Sequence, residues 1–247
     1  MLILLLHLLT LCSMAFAGEQ KLTYELTMDG KAIGQRTLTL RYLQGSTGEV
    51  RILETYTEVS ATVAGKSWTM KNRATLKAGA SPGFTSNIEE NGALREVQGR
   101  MLPDRRWSVI VTEKGKSQTW TLRASEVSMS SLDLFDPVRH SLLLSGGPVN
   151  MLVAETGGIE PGPVEDLGEG TLTIGGQEIV VQRAAWTPST GRMELAWSTD
   201  GLLVSYQTQV AGRTLEARLV ELPPPPSFGE VQTPALQTGG TVNEESL

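Results

Sequence analysis

Apolar and polar positions alternate with a period of two along most of the chain. Leu22, Tyr24, Leu26 and Met28 alternate with Thr23, Glu25 and Thr27, which places the apolar set on one face of a strand. The pattern returns at Leu38, Leu40 and Tyr42, and at Trp107, Val109 and Val111. It returns again at Met193, Leu195 and Trp197, at Leu202, Val204 and Tyr206, and at Leu215, Ala217 and Leu219. Between these runs stand Asp29-Gly30, Ala64-Gly65-Lys66, Asn91-Gly92, Lys114-Gly115, Gly175-Gly176, Asp200-Gly201 and Ala211-Gly212. Such pairs supply the positive φ that tight hairpins need. The pattern predicts roughly eleven strands in an antiparallel meander, near the upper limit for an open twisted sheet.

Helix signals are sparse. Asp136-Pro137 suits an N-cap followed by N1, Val138 and Leu142 share a face, and Gly146-Gly147 stops the run. A short helix near 137–144 cannot cover a sheet of that width. The sheet must therefore curl on itself or fold into two layers to bury its apolar face. The fold class expected is all-β: a curved antiparallel meander, or half-barrel, with one short helix. Residues 145–170 carry seven Gly and three Pro and read as a long loop, with Met151-Leu152-Val153-Ala154 packing back on the body. Beyond Leu222, consecutive prolines from Pro223 to Pro226 open a tail without Lys or Arg, which reads as a polyproline spacer and disorder.

The amino terminus changes the picture. Fourteen of residues 1–17 are apolar, and Ala15-Phe16-Ala17 has the small-x-small form of a cleavage site. This predicts a signal peptide over 1–17, a single β-rich domain over 18–222 and a tail over 223–247. The mature chain would be exported to the periplasm or the extracellular space, with no transmembrane segment. The competing reading is an uncleaved anchor. Cleavage removes Cys12 and His7 together, leaving no cysteine and only His140. Disulfides, cysteine nucleophiles and Cys/His zinc sites are then excluded. A net charge of −6 without a basic run argues against nucleic acid as a partner.

No G-x-S-x-G, S-x-x-K, H-E-x-x-H, calcium-loop or nucleotide-binding motif occurs, so neither a catalytic residue, a metal site nor a cofactor is expected. A hydrolase would have to use His140 with acidic neighbours such as Asp133 and Asp136. The acidic pairs Glu89-Glu90 and Glu165-Asp166 fit the rims of turns and loops. Five tryptophans, Trp68, Trp107, Trp120, Trp186 and Trp197, fall in strand-like segments and suit an apolar inner surface. Trp107, Trp120, Met151 and Leu152 are the candidate ligand-binding residues, with the Met151 patch as a lid over a concave face.

Three short segments carry a resemblance. They are Tyr24 to Gly34, which ends in a Gly-x-x-Ile-Gly element, Ser131 to Pro137, and Trp197 to Leu203. Over about residues 20–222 the chain resembles a bacterial envelope domain of unknown function. That family is similar to the curved half-barrel of periplasmic lipoprotein carriers of the LolA and LolB type. The resemblance implies a non-enzymatic envelope protein that takes an apolar, acyl-type ligand or lipid, or a protein partner, in its concavity. It brings no catalytic residues. A purely structural or assembly role is the remaining expectation.

Overall fold

The computed structural model describes residues 15–45, 48–63, 65–79, 81–210 and 212–224. The first eight strands are β1 (Ala15–Met28), β2 (Lys31–Gly45), β3 (Gly48–Val63), β4 (Lys66–Ala78), β5 (Gly83–Glu90), β6 (Ala93–Met101), β7 (Trp107–Glu113) and β8 (Lys116–Leu122). After a non-sheet connection come β9 (Met129–Ser130), β10 (Gly147–Leu152), β11 (Ile159–Ile174), β12 (Gln177–Trp186), β13 (Met193–Ser198), β14 (Leu203–Val210) and β15 (Arg213–Leu219). All fifteen belong to one sheet in the order β8-β7-β6-β5-β4-β3-β2-β1-β15-β14-β13-β12-β11-β10-β9. Neighbours are antiparallel except β9 and β10, which are parallel. The all-β meander expected from the alternation is the observed fold.

The β1–β15 pairing, Tyr24 opposite Leu219, joins the two ends of the meander in the middle of the sheet. Leu22, Tyr24, Leu26 and Met28 are all buried, as their spacing requires. The hairpin signals act as read: Asp29-Gly30, Asn91-Gly92, Lys114-Gly115 and Gly175-Gly176 all have positive φ at both positions, the requirement of a tight two-residue hairpin.

Two glycines show how the sheet bends. At Gly34 a register shift separates Leu26 from Thr27 in the β1–β2 pairing, and a Cβ at Gly34 would overlap the Glu58 carbonyl. Such a bulge increases local twist. At Gly157, between β10 and β11, a Cβ would fall 2.7 Å from Val111 and 3.2 Å from Trp120. The turn at one end of the strand order therefore lies against β7 and β8 at the other end.

Three expectations need correction. Among the described residues, fifteen strands stand where roughly eleven were expected. Residues 145–170 are not a loop but most of the β10–β11 hairpin. Pro161 and Pro163 sit two apart in β11, so their missing N–H groups lie on one side of the strand and the other side stays intact. The helix near 137–144 shrinks to α1 (Ser141–Leu144). Asp136 still caps the turn before it, accepting the Val138 N–H at 3.1 Å. The other helical segments are the 3-10 turns Ala124–Glu126 and Ser131–Phe135. β1 begins at Ala15, so Ala15 and Phe16 of the expected signal segment pair with β2, and a register shift separates Phe16 from Gly18. Residues 1–14 of that segment, and the tail from residue 225, lie outside the described residues.

Candidate functional site

The connection from β9 to β10 forms a plug. Its 3-10 turn buries Leu132, Leu134 and Phe135 in the same core as the strands. Phe135 meets Tyr24 edge-on at 6.0 Å and Tyr206 at 6.3 Å. The three short segments that carry the family resemblance converge here. The Tyr24 hydroxyl donates to the Leu203 carbonyl at 2.8 Å, and Trp197 Nε1 donates to the Leu134 carbonyl at 3.3 Å. A Cβ at Gly201, where φ is +79°, would overlap the Pro137 carbonyl. These motifs are the seat of the plug.

Polar contacts hold the plug in register. The Asp133 carboxylate accepts the Ser130 N–H at 2.7 Å and the Ser130 hydroxyl at 3.0 Å. Burial pushes the Asp133 carboxyl up from its ordinary value, against the pull of Ser130 and Arg139. Asp136 is fully buried and accepts the Arg51 guanidinium at 2.9 and 3.0 Å. A second link runs across the inner face. Ser86 donates to Asn72 at 3.0 Å, Asn72 to Glu155 at 3.4 Å, and Ser131 to the other Glu155 oxygen at 3.2 Å. The inner face is thus not continuously apolar.

Between the plug and β2, β10, β12, β13 and β14 lies a cavity of about 250 Å³. Its apolar wall includes Leu132, Leu134, Phe135, Met151, Trp186, Met193 and Leu215. Its polar groups include Arg36, Tyr206, Glu155 and Glu160. An apolar hollow with a few convergent polar groups is the form of a small-molecule site. Larger hollows lie elsewhere. Two are on the outer sheet face over β4 to β7, among side chains such as Lys71, Arg95 and Gln98. Two others lie by Gln20, Asp200 and Pro223, where the described chain ends, and by Lys31, Ser60 and Arg213 at the β1–β2 turn.

Of the four residues singled out from the sequence, Met151 lines the inner cavity. Leu152 is fully buried beside it in β10. Trp107 packs on Phe84 at 6.2 Å in the far half of the sheet, and Trp120 covers Gly157. Met151 and Leu152 end the sheet strand β10, and Val153 and Ala154 follow it into the turn, so the patch is part of the sheet and not a lid. Arg36, Phe135, Trp186 and Tyr206 were missed as cavity residues. The alternation marks Tyr206 as inward-facing, but no local signal places an inward arginine in β2.

His140 Nδ1 lies 2.6 Å from the Pro137 carbonyl, and its ring is tilted 6.3 Å from Trp197. Asp136 is committed to Arg51 and Val138, and the Ser198 hydroxyl accepts the Leu202 N–H. These contacts assemble no Ser–His–Asp relay. Among the described residues no three His, Cys, Asp or Glu side chains cluster as metal ligands. Among the same residues, no helix is long and apolar enough to cross a membrane.

No protein-family model matches this chain, and no curated protein matches it. The fold has a counterpart among solved structures. The crystal structure of a beta-barrel-like protein of domain of unknown function DUF1849, from Brucella abortus, is similar over 85% of this chain and 98% of that chain. The TM-score is 0.60 at 13% sequence identity, so the likeness is one of fold.

Proposed function

We propose that this chain is an exported, non-catalytic envelope protein that holds a small apolar or amphipathic ligand between its plug and the inner face of its sheet. One observation carries this reading: the 250 Å³ cavity with its apolar wall. At ~30 Å³ for each water-sized volume it has room for about eight such volumes, which suits a short acyl segment or a ring and not a whole diacyl lipid. Each buried CH₂ contributes about 0.8 kcal/mol before binding costs, so affinity is modest and the ligand exchanges. The resemblance to carriers of the LolA and LolB type points to the same ligand chemistry. The apolar run of residues 1–17 supports export, with cleavage after Ala17, and an intact mass beginning at Gly18 is expected for the secreted form.

Titration with a fluorescent fatty acid tests the reading. The native protein is expected to bind saturably. Met193→Trp, which fills the cavity from a half-buried position, is expected to weaken binding at least tenfold. Non-saturable uptake, or binding indifferent to Met193→Trp, would contradict it and leave a structural role.

A further inference from the structure

The cavity wall is not electrically neutral in what it offers. Arg36 enters from β2, and its guanidinium stacks 5.1 Å from the Phe135 ring and 5.6 Å from the Tyr206 ring. Its Nε donates to the Thr57 hydroxyl at 2.7 Å. Among the described residues its other N–H groups make no hydrogen bond and it forms no ion pair. A guanidinium has five N–H donors in a rigid fork, so most of its donor capacity is unused at the edge of an apolar hollow. The Tyr206 hydroxyl likewise makes no hydrogen bond among the described residues.

The acidic groups of the same wall are already committed. Glu155 accepts from Asn72 and Ser131, and Glu160 accepts from Thr190 at 2.7 Å. Their bonds tie the β10–β11 side to β4, to the plug and to the β12–β13 turn. Unused donors of this wall belong to Arg36 and Tyr206.

Resting on the cavity reading above, we propose that the ligand is an amphiphile with an oxyanion head, a carboxylate or a phosphate monoester. Arg36 and Tyr206 hold the head, and the apolar tail lies along Phe135, Leu134, Met151 and Met193. Arg is the residue suited to this task, because its fork matches either oxyanion bidentately and stacks on aromatic faces at the same time.

The test titrates the full chain by calorimetry, below micellar concentrations at pH 7.5, with decanoate, decyl phosphate, decanol and decylamine. One of the two oxyanion probes is expected to bind about tenfold tighter than decanol, or more, as a charge-assisted bond allows. Whichever of the two leads identifies the head. Arg36→Met is expected to erase that preference, bringing the leading oxyanion's affinity to within about twofold of decanol measured on the same variant, and Arg36→Lys to restore part of it. Equal binding of decanol and the oxyanions would overturn the proposal and leave the apolar cavity reading standing. So would a lead for decylamine, or a preference that survives Arg36→Met. No binding of any probe would remove both. Should Arg36→Met not fold, the four probes on the native protein decide between these outcomes.

Discussion

The half of the sheet from β3 to β8 and the plug from Ser130 to Leu144 are stabilised in different ways. In the first, each strand repeats one rule: alternate residues face inward, neighbours pair in regular register, and turns with positive φ reverse the chain. Its energy is spread over many similar apolar contacts, with the buried Ser86–Asn72 pair as a polar exception. In the plug, single groups matter. Asp136 has Arg51, Trp197 has one carbonyl, and Asp133 has Ser130. A repeated pattern tolerates loss of one member, whereas a buried polar contact leaves its partner unsatisfied when removed.

Removing the cation from the plug latch should have the largest effect. Arg51→Met leaves the fully buried Asp136 carboxylate without its ion partner, and a loss of about 3–5 kcal/mol is expected in denaturant unfolding at neutral pH. A loss under about 1 kcal/mol would erase the distinction between plug and sheet.

Two tryptophans sharpen it. Trp197 is fully buried and uses its N–H on Leu134, so Trp197→Phe should cost roughly 2 kcal/mol or more through lost volume and an unpaired carbonyl. Trp186 is also buried, but its N–H has no partner among the described residues. A Cβ on Gly162 would lie 2.7 Å from it. Trp186→Phe removes an unsatisfied donor, which offsets much of the lost volume, and should stay within about 1 kcal/mol of the native protein. Parallel urea titrations compare the pair. Equal costs would show that the bond to the plug carries nothing special.

Asp133 gives the plug a pH signature. Its carboxyl stands above the ordinary value of 3.8 because burial penalises the charged form. Its contribution to stability is therefore most favourable at low pH. It is lost as the pH rises from 3.8 through the raised native value. Asp133→Asn keeps an acceptor for Ser130 and removes the titration. The native-minus-variant stability should accordingly fall with rising pH across that window in thermal melts, and a rise would reverse the assignment. The smallest effect belongs to the outer face. Leu94 in β6 is 69% exposed, and Leu94→Ser should change stability by less than about 0.5 kcal/mol.

The same contrast explains what could be read from the sequence. Leu22 to Met28, Trp107 to Val111 and the Asn-Gly and Asp-Gly turns are local signals, and each lies where the alternation placed it. The plug is seated by contacts far apart in the chain, such as Arg51 with Asp136 and Trp197 with Leu134, and no local period encodes them. The β10–β11 hairpin was hidden by its own glycines and prolines. Gly162 is needed for the close passage of Trp186 and Pro188, and Pro161 and Pro163 are tolerated because they share one side of the strand. For the cavity, Met151 was legible as an apolar strand residue, but Arg36 was not. Its neighbours Phe135 and Tyr206 come from segments 99 and 170 residues away.

Methyl NMR with labelled methionine tests the central claim most directly. Met151 and Met193 line the cavity, while Met28 is buried elsewhere and Met70 and Met101 only border the core. On titration with decanoate the account predicts saturable shifts of the Met151 and Met193 methyl signals together, with Met28, Met70 and Met101 unmoved. Shifts confined to Met70 and Met101, or no saturable shift at Met151 and Met193, would contradict it.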